Sequence, residues 1–70
     1  MELLNKTEST VTEVTYTLQD KTSVFYYKEW LNESGKVVDC LMRDKDGSEI
    51  DDPLLLDEVQ EFVDNFLKNN

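Results

Sequence analysis

The chain contains no histidine, and cysteine occurs only once among its 70 residues, as Cys40. A single cysteine excludes a disulfide within the chain. Without histidine, Cys40 lacks the general base that usually activates a cysteine nucleophile, and zinc lacks its common set of Cys and His ligands. We therefore expect a protein that is not an enzyme and that has no catalytic residue, no metal ion and no cofactor.

Long apolar runs are also missing. The longest is Leu54-Leu55-Leu56, whereas a membrane-spanning helix needs about 20 apolar residues. The first residues, Met1 to Thr7, lack the basic start and the apolar stretch of a secretory signal. We expect a cytoplasmic location and no membrane partner.

Basic residues are scarce and unevenly placed. Sixteen Asp and Glu face seven Lys and Arg, for a net charge of −9. Residues 39–70 hold ten acidic and three basic side chains, which gives −7, and residues 1–38 hold six and four, which gives −2. Affinity for a phosphate backbone comes mainly from Lys and Arg, so we expect no direct binding of nucleic acid.

One acidic stretch resembles part of a calcium-binding loop. If Gly47 is aligned to the obligatory glycine of an EF-hand, Asp44 and Asp46 fall at ligand positions. The first loop position is then Met42 and the twelfth is Pro53, neither of which is a ligand. We interpret the stretch as a turn, and weak cation binding outside an EF-hand stays open.

The hydrophobic pattern predicts strands followed by one helix. Strands are expected at 9–19, 22–31 and 36–43, with turns at 32–35 and 44–47 and a short fourth strand at 48–50. Leu3 and Leu4 either extend the first strand or form a short turn. Asp52 and Pro53 are typical of a helix start, and apolar residues then recur at helical spacing to about residue 68.

These elements predict one α+β domain spanning residues 1–70. Its architecture is an antiparallel three- to four-stranded β-meander with the C-terminal helix packed on one face, in the order β-β-β-(β)-α. A four-residue loop at 32–35 places Leu31 opposite Lys36 and Lys28 opposite Asp39, an opposite-charge pair. The predicted core face of the sheet comprises Val14, Tyr16, Leu18, Phe25, Tyr27, Leu31, Val38, Cys40 and Met42, with Glu29 as its one charged member. The predicted outer face comprises Val24, Tyr26, Lys28, Trp30, Val37, Asp39, Leu41 and Arg43.

Two surfaces are candidates for partner binding. Tyr26 and Trp30 fall on the predicted outer face, and exposed aromatic residues often anchor interfaces. Two alternatives stay open here: the N-terminal segment covers this face, or a different register makes Trp30 part of the core. The second surface is on the helix, where the acidic side chains share the solvent side: Asp57, Glu58, Glu61 and Asp64. They either serve as a solvated face that favours solubility or bind a basic protein surface.

In size, charge and simplicity the chain resembles the small acidic inhibitors encoded by bacteriophages and mobile elements. Some of those proteins mimic DNA and others dock on host enzymes. The resemblance is one of class and assigns no residue. It implies a non-catalytic inhibitor or modulator that contacts a host protein with a basic surface. The alternative is a homo-oligomeric structural module, such as a homodimer, joined through the aromatic outer face.

Overall fold

The computed structural model describes residues 1–10 and 12–68, together with their side chains except those of Ser9 and Thr10. It contains four strands and one helix, which are β1 (Glu2–Thr10), β2 (Glu13–Asp20), β3 (Ser23–Leu31), β4 (Val37–Asp44) and α1 (Pro53–Lys68). The strands form one antiparallel sheet in the order β1-β2-β3-β4. The predicted α+β meander with a C-terminal helix is confirmed.

The N-terminal part of the sheet differs from the prediction. Within the range predicted as one strand from 9 to 19, Ser9 and Thr10 belong to β1 and the residues from Glu13 onward belong to β2. Val11, which the prediction also included, lies outside the described residues. Leu3 lies in β1, opposite Leu18 of β2. The fourth strand of the sheet is therefore N-terminal. The predicted strand at 48–50 is reduced to one bridge, between Arg43 and Glu49.

The connection between β3 and β4 shifts the predicted register. Asn32 pairs with Lys36 through a backbone hydrogen bond of 2.8 Å, so Leu31 lies opposite Val37 and not opposite Lys36. A bulge between Trp30 and Leu31 adds a second one-residue shift. The two shifts together restore the predicted faces along the rest of β4.

Besides the pairing of Leu31 with Lys36, three predicted placements are wrong because of these two register shifts. Lys28 lies opposite Leu41 and not opposite Asp39. Val38 falls at the bulge and is 62% exposed, although the sequence placed it in the core. Val37 lies beside Tyr27 on the helix side, although the sequence placed it on the outer face.

The core forms between the helix and one face of the sheet. Leu18 and Val59 are each 0% exposed, and burying such side chains contributes roughly 1.5–3 kcal/mol each. Leu31 and Cys40 pack against the core while remaining half-buried. The buried apolar residues are Val14, Tyr16, Leu18, Phe25, Tyr27, Met42, Val59 and Val63.

The predicted helix start is confirmed by its hydrogen bonds. Asp52 Oδ1 accepts the backbone N–H groups of Leu54 and Leu55 at 3.2 Å each. These donors have no partner inside the helix, so the Asp52 side chain satisfies them. The helix then runs from Pro53 to Lys68, as predicted.

Candidate protein-binding surfaces

The acidic helix surface consists of Asp57, Glu58, Glu61 and Asp64, all of which are exposed. Successive helical residues are about 100° apart around the axis. Asp57, Glu61 and Asp64 therefore form a row along the side opposite the buried Val59. The structure thus places the four predicted acidic residues on one open surface of a regular helix.

The carboxylates of the acidic helix surface form no ion pair with any residue that the structure describes. Within residues 1–10 and 12–68, the ion pairs join the Met1 amino group to Asp20, Lys6 to Glu8, and Lys28 to Glu13. None involves the helix. Glu58 and Glu61 instead line a shallow depression that also includes Asp20, the last residue of β2. Met1 also lines this depression and its amino group pairs with Asp20, so the unpaired negative charge here, among the described residues, is that of Glu58 and Glu61.

The acidic segment between β4 and the helix has mainly local structural roles. Asp44 Oδ1 accepts the backbone N–H groups of Asp46 at 2.9 Å and Ser48 at 3.0 Å. Gly47 has a φ of +90°, a conformation that glycine adopts at little cost. This geometry agrees with the interpretation of 44–47 as a turn, and Asp52 caps the helix.

A buried carboxylate lies at the crevice between the helix and the sheet. Glu29 is only 8% exposed, although its strand face is otherwise apolar. Its Oε2 accepts a hydrogen bond of 2.8 Å from the hydroxyl of Tyr27. Val37, Gln60 and Asp64 line the same crevice. The sequence marked Glu29 as the charged exception on the core face, but the Tyr27 contact could not be read from spacing alone.

The buried tyrosines hold their protons more tightly than ordinary tyrosines. Burial, followed by the negative charge of Glu29, raises the pKa of Tyr16 to about 12. Burial, followed by the hydrogen bond to Glu29, raises the pKa of Tyr27 well above its usual range. The Tyr16 and Tyr27 rings lie 6.0 Å apart between centroids. Both hydroxyl groups thus belong to the folded core as neutral groups.

Cys40 lies on the helix-facing side of β4, as its strand position predicted. Its thiol is half-buried, and Gln60 Nε2 donates a hydrogen bond of 3.6 Å to Sγ. The Gln60 side chain therefore bridges the helix to the last strand. This contact gives Cys40 a structural role in the packing of the two layers.

The outer sheet face is the side of the sheet that faces away from the helix. Tyr26 is 38% exposed there, and Trp30 and Leu41 are half-buried. The N-terminal segment does not cover this face, because it adds β1 to the edge of the sheet. The described residues of this face are Glu2, Asn5, Thr7, Glu13, Thr15, Thr17, Gln19, Val24, Tyr26, Lys28, Trp30, Asp39, Leu41 and Arg43.

The lysine at the centre of the outer sheet face is engaged by its neighbours. Lys28 forms an ion pair with Glu13 on the adjacent strand. Its Nζ also lies 5.3 Å from the centroid of the Trp30 ring, within the range of a cation–π interaction. The positive charge is therefore balanced within the face.

Neither a metal site nor a membrane span is found in the part of the chain that the structure describes. Within it, no three His, Cys, Asp or Glu side chains are grouped so as to hold a metal ion. No helix there is both long and apolar enough to cross a membrane. No family model, curated protein or solved structure matches this chain.

Proposed function

We propose that this protein is a small, non-catalytic binding protein that docks on a basic surface of another protein through its acidic helix surface. The observation that carries the proposal is the row formed by Asp57, Glu61 and Asp64, which is exposed and forms no ion pair within the described chain. A partner with Lys and Arg side chains would supply the missing counter-charges.

The helix gives this surface a fixed spacing. Residues rise 1.5 Å each along a helix, so the row from Asp57 to Asp64 extends over roughly 10 Å. Because Val59 and Val63 anchor the opposite side in the core, the backbone that carries the row is already ordered before binding, and only the side chains of the row lose freedom. A regular line of negative charge is also what a nucleic-acid backbone offers to a basic groove. The proposal therefore includes mimicry of DNA.

In this proposal the protein inhibits or modulates a host protein in the cytoplasm, in the manner of phage or mobile-element inhibitors. Occupying a basic groove would exclude the nucleic acid or acidic substrate that normally binds there. This role requires only a folded scaffold and a charged surface.

The test is affinity purification from the native host, followed by binding measurements on the purified partner. The variant Asp57→Asn/Glu61→Gln/Asp64→Asn removes three charges with little change in shape. We expect it to bind about tenfold more weakly or worse at low salt, since each exposed pair contributes up to about 1 kcal/mol. Wild-type affinity should also fall as salt rises.

The matched control removes the same charge elsewhere. Glu2→Gln/Glu33→Gln/Asp46→Asn changes three exposed acids outside the helix and should bind like wild type. Equal binding by the helix variant and wild type would refute the proposal. Equal losses in both variants would show that net charge matters and that the helix surface does not.

A second candidate function is a homo-oligomeric interaction module joined through the outer sheet face. The exposure of Tyr26 on an uncovered sheet favours it, because aromatic residues are enriched at protein interfaces.

A further inference from the structure

The outer sheet face has nearly balanced charge, unlike the chain as a whole. Its described strand residues include three acids, Glu2, Glu13 and Asp39, and two bases, Lys28 and Arg43. The net charge of the whole chain is −9. A second copy of the chain would meet little repulsion on this side, whereas a strongly basic partner would find few counter-charges.

The size of the outer sheet face is suited to a modest interface. Four strands at about 4.8 Å spacing, each with eight or nine residues, cover a plane of roughly 500 Å². Two such faces in contact would bury about 1,000 Å² in total, which is the lower limit for a specific interface. The face therefore fits a reversible dimer.

The sheet edges are less suitable for association than the face. On β4, the Met42 carbonyl accepts the Ile50 N–H at 2.9 Å, and Asp39 Oδ1 accepts the Cys40 N–H at 2.9 Å. On the opposite edge, β1 contains two register shifts. Bulges and covered backbone groups are features that hinder edge-to-edge pairing.

We propose that a second copy of this chain packs on the outer sheet face about a two-fold axis along the row Leu41–Lys28–Thr15. These three residues lie opposite one another on neighbouring strands. The inference rests on the second candidate function and is independent of the acidic helix surface.

The two-fold axis brings complementary groups together. Asp39 and Arg43 lie on β4, two residues to either side of Leu41, on the same face. Rotation about the row places Asp39 of one copy against Arg43 of the other, twice per dimer. On β3, Tyr26 and Trp30 lie two residues to either side of Lys28. The same rotation therefore places Tyr26 of one copy against Trp30 of the other. Such reciprocal contacts are the rule for a two-fold interface.

The Lys28 side chains of the two copies approach each other at the axis. Each has its own compensation, since Lys28 pairs with Glu13 and lies over the Trp30 ring of the same copy. Their mutual repulsion is thereby reduced.

The test is sedimentation equilibrium on the full chain with a charge exchange. We expect wild type to form a reversible dimer at micromolar to submillimolar concentration. Asp39→Arg and Arg43→Asp should each raise the dimer dissociation constant about tenfold or more, because each places like charges together. The double exchange should return the constant to within about threefold of wild type. Raising salt should not dissociate the wild-type dimer, because screening also weakens the repulsion between two copies of charge −9.

Two further variants keep the test decisive, because Asp39 and Arg43 also make local hydrogen bonds. Leu41→Lys leaves both bonds in place, adds two positive charges beside the two Lys28 side chains at the axis and should abolish the dimer. Glu33→Arg changes the charge of an exposed turn residue and should not weaken it. Circular dichroism establishes that each variant is folded.

The possible failures are distinguishable. A wild-type chain that stays monomeric at millimolar concentration overturns the inference and the second candidate function together. A wild-type dimer that tolerates Leu41→Lys overturns the inference alone, because association must then use another surface. Neither result bears on the acidic helix surface, which has its own variants.

Discussion

The hydroxyl of Tyr27 donates a hydrogen bond of 2.8 Å to Oε2 of Glu29, two residues further along the same face of β3. Both residues are buried between the sheet and the helix. A carboxylate at such a position is costly unless a donor compensates for the water it has lost. Tyr27 is therefore both a core aromatic residue and the partner that makes Glu29 acceptable.

Removing the donor should destabilise the fold. Tyr27→Phe keeps the ring and deletes the hydroxyl, so Glu29 loses its bond from Tyr27. We expect the free energy of unfolding to fall by about 1.5–3 kcal/mol, the usual contribution of a hydrogen bond to a charged group. Urea denaturation measures this change. If the hydrogen bond is responsible, Tyr27→Phe should cost much less in a Glu29→Leu background, and equal costs in both backgrounds would contradict the interpretation.

Alkaline pH should unfold the protein because its buried tyrosines resist ionisation. The pKa of Tyr16 is raised from 10.0 to about 12 in the folded chain. Above pH 10 the unfolded chain loses phenolic protons that the folded chain keeps, so the free energy of unfolding falls as pH rises. This stabilisation is complete below pH 10 and is lost as pH rises through about 12. Chemical denaturation across this range measures the slope, and Tyr16→Phe should make it shallower. An identical slope in Tyr16→Phe would be inconsistent with this origin.

Two apolar truncations should differ sharply in their effect. Leu18 is 0% exposed, whereas Val38 is 62% exposed. Leu18→Ala should cost about 2–5 kcal/mol through the cavity it leaves, which is a large share of the stability of a chain of this size. Val38→Ala should change the free energy of unfolding by about 0.5 kcal/mol or less. Thermal melting compares the two variants. A large loss of stability in Val38→Ala would contradict the observed β3–β4 register and support the one in which Val38 is buried.

Loss of the helix cap should have an intermediate effect. Asp52→Ala leaves the N–H groups of Leu54 and Leu55 without their side-chain acceptor. We expect a loss of about 1 kcal/mol. Asp52→Asn is the control, since its side-chain oxygen can still accept these bonds. Equal losses in the two variants would indicate that the charge at this position matters more than the acceptor.

The elements that could be predicted are those with strong local signals. The helix was predicted from Asp52, Pro53 and a regular apolar stripe, and its bounds agree with the structure. The strand β3 was predicted from its density of aromatic and β-branched residues. The turn at 44–47 was predicted from Asp44 and Gly47, which supply the side-chain acceptor and the positive φ.

The parts that could not be predicted depend on pairing between strands. The connection between β1 and β2 lies in a run of Thr, Glu and Val with no Gly, Pro or Asn, so nothing local marks a reversal of the chain. The bulge beside Trp30 is similar, because only the pairing of β3 with β4 creates it. Together with the Asn32–Lys36 pairing, it moved Val37 to the helix side and Val38 out of the core, while the predicted placement of Tyr26 and Trp30 on the outer sheet face is correct.

The residues of the candidate surfaces could be predicted from the sequence, but what lies next to those surfaces in the fold could not. Helical spacing alone places Asp57, Glu61 and Asp64 on one side. Whether the outer sheet face is covered depended on β1, which lies beside β2 and leaves the face open. Predicting the crevice at Glu29 would require knowing how β3, β4 and α1 are aligned with one another. The periodicity of apolar residues within each element does not give this alignment.

The single helix, packed on only one side of the sheet, determines what a pair of copies could do. If two copies joined at their outer sheet faces, their helices would lie on the two opposite outer sides of the dimer, separated by the thickness of both sheets. Such a pair would be bivalent, yet one small basic surface could not contact both helices at once. It would therefore bridge two separate binding partners, and its avidity would appear only where those partners are clustered or multimeric.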